Sequence, residues 1–300
     1  MRSRNFIRAG RAGCTWLSGA SGEGTNDGTF ASWRGTPQPI FGSWSDDNAN
    51  MQNFWQMDSN IPNNYAGWTG SGDIAVGAFT DDGQTWAGAA SGAYDAMWTN
   101  CLMMAKSKWT AISRGTLYLR FAHEWNGNWY HWSVDSANIA NFQAAWARFR
   151  ALQQQIFPAC KLVCCINGET NGQTYNWVNA LPDSSSYDIL GVDYYSNHWL
   201  YTAAYDGNGG PRRLDTIKAA AVSIGKPISV SEWGNNSDSG DHPEYIAAMH
   251  DFYALNAGTG PGQVLYDIYF NVIWSPNKFG LYPEAQTLAP NAASMYKQLF

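Results

Sequence analysis

The chain has 300 residues, 45% of them hydrophobic and only 14% charged, and it carries 16 Trp and 16 Tyr. A formal net charge of −6 excludes the basic footprint of a nucleic-acid-binding protein, and no apolar run reaches the roughly 18 residues that span a bilayer. A chain this long buries a core without disulfide or metal staples, so the excess of aromatic rings is open to two readings, a large aromatic core or a surface that stacks on sugars.

At the start of the chain Arg2, Arg4, Arg8 and Arg11 form the only basic cluster. They lack the apolar centre of a signal peptide, and residues 1–10 read as a loose segment ahead of the first element. Extracellular action would then need a removed leader or another route of release.

Eight short apolar runs follow, each ending in a polar loop: Gly13–Leu17, Pro39–Trp44, Asp73–Phe79, Thr116–Ala122, Lys161–Ile166, Asp188–Tyr194, Pro227–Ser231 and Ile268–Ile273. Helical patterns lie between several of them. Ala93–Lys106, the stripe Phe142, Trp146, Phe149, Leu152 and Ile156, Leu214–Ile224 and Glu244–Leu255 all repeat at three- and four-residue spacing. Pro243 stands just ahead of the last of these. Near-continuous apolar strands alternating with helices imply parallel pairing covered on both faces. The expected fold is therefore a single-domain (β/α)8 TIM barrel, with Gly- and Trp-rich loops in place of clean helices in its first two units.

The five cysteines, Cys14, Cys101, Cys160, Cys164 and Cys165, are odd in number and lack CxxC pairing. Cys164 and Cys165 read as small buried residues, and a Cys101–Cys160 bridge stays open.

In such a barrel the chemistry sits just past the C-terminal strand ends. The residues there are Asp81 and Asp82, His123 and Glu124, Asn167 and Glu169, Asp193 and Tyr195, Glu232, and Trp274. Asp81-Asp82-Gly83 reads as a turn, Glu169 as a solvated loop residue, and Asp193 as a group that orients its neighbours. Trp44, Trp86 and Trp199 each fit a cap on the core or a sugar platform.

Six glutamates are present, and two of them end well-defined strands: Glu124 after TLYLRFAH and Glu232 after KPISVS. Strand alternation would put Arg120, Ala122 and Glu124 on one face. If Ile228 and Val230 face inward, Glu232 does too. Two carboxylates opposed across an aromatic cleft suit glycoside hydrolysis, one as acid and the other as nucleophile or base. A wall of Trp125 and Trp129 would raise the acid's pKa by desolvation, and Tyr195 and Arg120 would donate to the nucleophile. The competing structural reading pairs Glu124 with Arg120 as a buried ion pair. A metal at His123, Glu124 and His131 is disfavoured because their spacing does not converge three ligands, and no cofactor is implied.

The stretch RFAHEWNGNWYHW, residues 120–132, resembles the R-x-x-H-E-x-N-G-x-W-[FY]-x-W signature of glycoside hydrolase family 26. GVDYY after the sixth strand and SEWG after the seventh extend the resemblance from about residue 10 to the end. It implies a retaining enzyme, chiefly an endo-β-1,4-mannanase, with Glu124 as acid/base and Glu232 as nucleophile. It further implies that His123 and Tyr195 position them, and that Trp129 and Trp274 line the sugar subsites. Arg120, Asp193 and Asn126 complete the expected substrate-binding set. The implied partner is a polysaccharide or oligosaccharide substrate, and the protein is expected to be a monomer. Trp125, and NGETN after the fifth strand, depart from the family pattern, which leaves the sugar open. A β-1,3/1,4-glucanase, a β-1,3-xylanase and a non-catalytic carbohydrate-binding barrel are the alternatives.

Overall fold

The computed structural model describes residues 13–81, 83–195 and 203–300. Arg2, Arg4, Arg8, Arg11, Asp82 and Trp199 lie outside the described residues.

Eight parallel strands close into a barrel in sequence order. They are β1 (Leu17–Gly22), β2 (Ile40–Ser45), β3 (Ser71–Val76), β4 (Leu117–Phe121), β5 (Lys161–Asn167), β6 (Ile189–Tyr194), β7 (Ile228–Trp233) and β8 (Val264–Asn271). β8 returns to pair with β1 from Leu17↔Tyr266 to Gly22↔Asn271, which leaves the sheet without an edge. The (β/α)8 barrel expected from the alternating pattern is the fold. The helices are α1 (Thr29–Arg34), α2 (Asn48–Asn53), α3 (Trp86–Ser91), α4 (Asp95–Thr110), α5 (Ile139–Ile156), α6 (Leu214–Ser223), α7 (Pro243–Asn256) and α8 (Pro290–Leu299). The first two units do carry only single-turn-scale helices. The fifth crossover instead uses two 3-10 turns, Trp177–Ala180 and Ser184–Ser186.

Most strand boundaries shift by one to three residues, and two strands differ by more. β1 is not Gly13–Leu17 but Leu17–Gly22, sequence LSGASG. Apolarity misleads here because Trp16 points away from the barrel, donating from Nε1 to Asp267 at 2.6 Å. The true strand needs small residues: a Cβ on Gly19 would lie 2.1 Å from the Ile40 carbonyl oxygen. β8 likewise begins at Val264, four residues before the expected Ile268.

The strands separate two apolar regions. A large cluster between barrel and helices includes Phe121 stacked on Phe149 at 3.9 Å. A small plug of Ile40, Tyr118, Val163, Cys165, Ile189, Tyr266 and Ile268 fills the lower barrel. Above the plug lies a polar layer that includes Asp73, Arg120, Asp193, Ser229 and Ser231, all fully buried. Most of the aromatic excess is core: Trp68, Trp98, Trp125, Trp146, Trp177 and Trp233 are among the largest fully buried side chains. Trp129 and Trp274, at 46% and 60% exposure, are the exceptions that matter below. All five cysteines are free, Cys101, Cys160, Cys164 and Cys165 being buried.

Candidate active site

The alternation argument for Glu232 rests on the wrong premise. Ile228 and Val230 belong to the outer, helix-facing cluster, while Ser229 and Ser231 hydrogen-bond to each other inside the barrel at 3.0 Å. Simple alternation would therefore turn Glu232 outward. One extra residue in β7 corrects this: Val192 pairs with Val230 but the next residue, Asp193, pairs with Glu232. Against β8 the pairs run from Val230↔Asp267 to Trp233↔Tyr269. A bulge of this kind re-aims a side chain beside a site, and it brings Glu232 inward while Trp233 stays in the outer core.

Glu124 is aimed by a different device. β4 ends at Phe121, and both Ala122 and Glu124 adopt φ of 52°. Left-handed backbone at non-glycine residues costs about 1–2 kcal/mol each. Their amides are tied to both flanking strands, Ala122 N–H to the Val76 carbonyl at 2.8 Å and Glu124 N–H to the Cys165 carbonyl at 2.9 Å. Ala122 consequently packs in the outer cluster, not on a face shared with Arg120 and Glu124. Trp125 turns outward as well, its ring 4.6 Å from Phe142 of α5, so it is not part of the wall expected beside the acid.

The two carboxylates meet different surroundings. Glu232, 6% exposed, accepts three hydrogen bonds. Arg120 Nη1 and Trp44 Nε1 donate to its Oε1 at 2.5 and 2.7 Å, and the Tyr195 hydroxyl donates to Oε2 at 2.6 Å. Arg120 is itself fixed from below by Asp73 at 2.6 Å and Asp193 at 3.3 Å, and the Tyr266 hydroxyl holds Asp73 at 2.7 Å. The Arg120–Glu124 ion pair of the competing reading does not form; the arginine donates to Glu232, as expected of a donor to the nucleophile.

Glu124, 8% exposed, accepts from Trp129 Nε1 at 2.9 Å and Asn167 Nδ2 at 2.8 Å. Burial, then the charge of Glu232, pushes its carboxyl up to about 7, with the Asn167 and Trp129 donors opposing the shift. Gly127 allows the Trp129 approach, since a Cβ there would sit 2.5 Å from the indole ring.

Around the glutamates Trp44, Asp46, Tyr130, Tyr195, Phe270, Trp274 and Phe279 enclose a cavity of about 490 Å³. Trp274 packs on Phe270 at 5.3 Å, and Phe270 meets the Trp44 and Tyr195 rings at 5.4 and 5.5 Å. Of the residues expected to bind substrate, Trp274 and Tyr195 line this cavity, and Trp129 lies at the Glu124 carboxylate. Arg120, Asp193 and Asn126 are fully buried below it. Asn126 grips Asn167 instead, Nδ2 to its carbonyl at 2.9 Å and Oδ1 from its amide at 2.8 Å. His123 touches neither glutamate. Its Nε2 meets the Tyr130 hydroxyl at 2.9 Å, and burial, then the Arg120 charge, keeps the ring neutral.

Glu169 corrects another expectation. It is half-buried, not solvated, and burial pushes its carboxyl up to about 7 against the pull of Arg212. Trp86 is buried and donates to the Trp132 carbonyl, a core cap rather than a sugar platform. Trp44, left open between a core cap and a sugar platform, lines the cavity; Asp46, Tyr130, Phe270 and Phe279 were not legible as site residues. Phe270 is visible only once the strand register is known, and Asp46 looks like one of several loop aspartates.

No family model matches the chain, and no curated protein matches it. Solved structures do. The modular endo-β-1,4-mannanase of Cellulomonas fimi superposes with a TM-score of 0.63 at 14% identity, covering 93% of this chain and 70% of that one. The catalytic domain of a Bacillus family 26 endo-β-1,4-mannanase gives 0.61 at 14% identity, over 94% and 85% of the two chains. A family 26 β-mannanase of Bacteroides ovatus gives 0.60 at 12% identity, over 99% and 90%. At these identities the likeness establishes a shared barrel fold.

Proposed function

We propose that this chain is a retaining, endo-acting glycoside hydrolase, that Glu124 is its acid/base and Glu232 its nucleophile, and that β-1,4-mannan is its first-choice substrate. The observation that carries the reading is the pairing, in one aromatic cavity, of a donor-rich carboxylate with a desolvated one. The sequence resemblance and the three mannanase structures support the same assignment.

The chemistry follows from the two environments. With its carboxyl raised to about 7, Glu124 keeps a large protonated fraction at neutral pH, and that form delivers its proton to the glycosidic oxygen as that bond breaks. Glu232, oriented by Arg120, Trp44 and Tyr195, attacks the anomeric carbon to form a glycosyl ester. That ester carries no charge, so the repulsion that helped raise Glu124 disappears. The pKa of Glu124 falls, and it takes a proton from the water that cleaves the ester. Arg120, Asp193 and Asn126 act beneath the cavity by holding Glu232 and Asn167 in place. A polymer substrate places the action outside the cell, and among the described residues no helix is long and apolar enough to cross a membrane.

Reducing-end release from mannan, glucomannan, xylan and mixed-linkage glucan tests the reading. Hydrolysis of mannan, with the β-anomer as first product by NMR, is the expected result. An α-anomer would overturn retention, and binding without hydrolysis would favour a carbohydrate-binding barrel.

A further inference from the structure

Asp46 has no task in the double displacement. It follows β2 directly and lines the same cavity as Glu124 and Glu232, with its side chain 26% exposed. Among the described residues no side-chain donor hydrogen-bonds to it; His123 Nε2 stands at 3.8 Å, outside hydrogen-bond reach. That nitrogen is already engaged by the Tyr130 hydroxyl, and the neutral ring offers no counter-charge. Beyond its own backbone amide the carboxylate is short of donors, and burial pushes it up to about 6. A half-buried carboxylate without side-chain donors is costly unless something else supplies them.

The cavity suggests what does. Trp44, Tyr130, Phe270 and Trp274 offer apolar ring faces to a pyranose, and a carboxylate's two oxygens can accept from hydroxyls on its edge. Among the described residues the ionisable carboxylates of the lining are Asp46, Glu124 and Glu232, and no lysine or arginine lines it. Arg120 below is fully buried and braced by Asp73, Asp193 and Glu232. At the rim, Lys278 beside Phe279 is engaged by Asp238. A sugar bearing its own carboxylate would meet like charges, and the cation among the described residues whose charge reaches Asp46, Arg120, is already shared by three carboxylates.

We propose that Asp46 is a specificity-determining residue that accepts hydrogen bonds from hydroxyls of the sugar held over Glu232 and excludes uronic acids from that position. The proposal rests on the hydrolase reading for the placement of the sugar, and its test separates the two. Glu232→Ala protein, with and without Asp46→Asn or Asp46→Ala, is titrated calorimetrically with mannotetraose, xylotetraose and cellotetraose, none of which it turns over. The active chain is assayed in parallel on glucomannan, on chitosan and on polymannuronate, the 6-carboxyl counterpart of mannan.

The expected result is an affinity for the best neutral oligosaccharide that falls about tenfold or more in both Asp46 variants, with unchanged Tm and circular dichroism. Polymannuronate should be neither bound nor cleaved. Unchanged affinity in both variants overturns the proposal, as does cleavage of polymannuronate at a comparable rate, a preference for chitosan over neutral polymers, or no binding of any neutral oligosaccharide. Absence of hydrolysis with Asp46-dependent binding retained overturns the double displacement and leaves the Asp46 assignment standing.

Discussion

The ends of β4 and β7 each present one glutamate to the same cavity, by opposite means. At β7 a bulge turns Glu232 inward over a fully buried arginine, and Arg120, Trp44 and Tyr195 all donate to it. At β4 two left-handed residues lift Glu124 onto a wall where one indole and one amide reach it. Burial dominates there, and the carboxyl is pushed up to about 7. Two identical side chains thus acquire different chemistry from their surroundings, one suited to carrying charge and the other to carrying a proton. The difference also shows where strain is placed: Glu124 sits on left-handed backbone, Glu232 on regular strand with one residue added.

The largest test of that asymmetry is deletion of each carboxylate. Glu232→Ala should lower kcat on polysaccharide by at least about ten-thousandfold, whatever the leaving group. Glu124→Ala should cost about a thousandfold on polysaccharide but far less in kcat/KM on an oligosaccharide with a dinitrophenolate leaving group, whose departure needs no proton; kcat there stays low because hydrolysis of the ester has lost its base. Comparing the two variants on the two substrates checks the assignment; a leaving-group rescue of Glu232→Ala instead would exchange the roles.

How much of this was legible in the sequence follows from what each feature depends on. The eight alternating units and α5, with its stripe from Phe142 to Ile156, reflect local periodicity, and they are found where that periodicity points. Glu124 and Glu232 stand out because few glutamates end strands. The route by which Glu232 faces inward was not legible, since a bulge is a matter of register between strands and leaves no mark in ISVSEW. β1 was misplaced because its requirement is smallness at Gly19, not apolarity. Trp44 was open as a sugar platform, but its donation to Glu232 was not legible, and Asp46 escaped notice, because both gain their importance from residues far along the chain. Asn126 reads as a sugar-binding residue from its motif, but a buried grip on Asn167 needs coordinates to see.

Smaller changes sharpen the comparison from each side. Tyr195→Phe removes one donor from Glu232 and should reduce kcat about ten- to hundredfold, measured on the same polysaccharide. Asn167→Ala removes a donor that holds the Glu124 carboxyl down. Activity that requires protonated Glu124 falls as pH rises through about 7. In Asn167→Ala the basic limb of the kcat/KM profile should move to higher pH by up to about one unit, with a smaller shift in the same direction for Trp129→Phe. A shift toward lower pH would mean that these donors do not act on the acid.

The smallest effect is on stability, and its sign follows from the raised carboxyl. A glutamate held at about 7 in the fold binds its proton more tightly there than in the unfolded chain. The stability this contributes is complete below the unfolded pKa, near 4.5, and is lost as pH rises through about 7. At pH 8 the fold therefore carries an ionised Glu124 in a desolvated site beside Glu232, while Glu124→Gln carries an uncharged amide of the same shape. Ionisation of Glu124 at pH 8 costs about 3 kcal/mol, and the amide leaves one of the Trp129 and Asn167 donors without its acceptor at about 1 kcal/mol, so the variant should be more stable than the parent at pH 8 by about 2 kcal/mol, seen as a higher Tm, and the difference should vanish or reverse near pH 4. No corresponding gain is expected for Glu232→Gln, where the amide would meet the Arg120 and Trp44 donors with one fewer oxygen and leave a buried guanidinium without its charge partner. Opposite signs for the two glutamine variants at pH 8 would tie the division of labour to burial and donors; equal signs would break it.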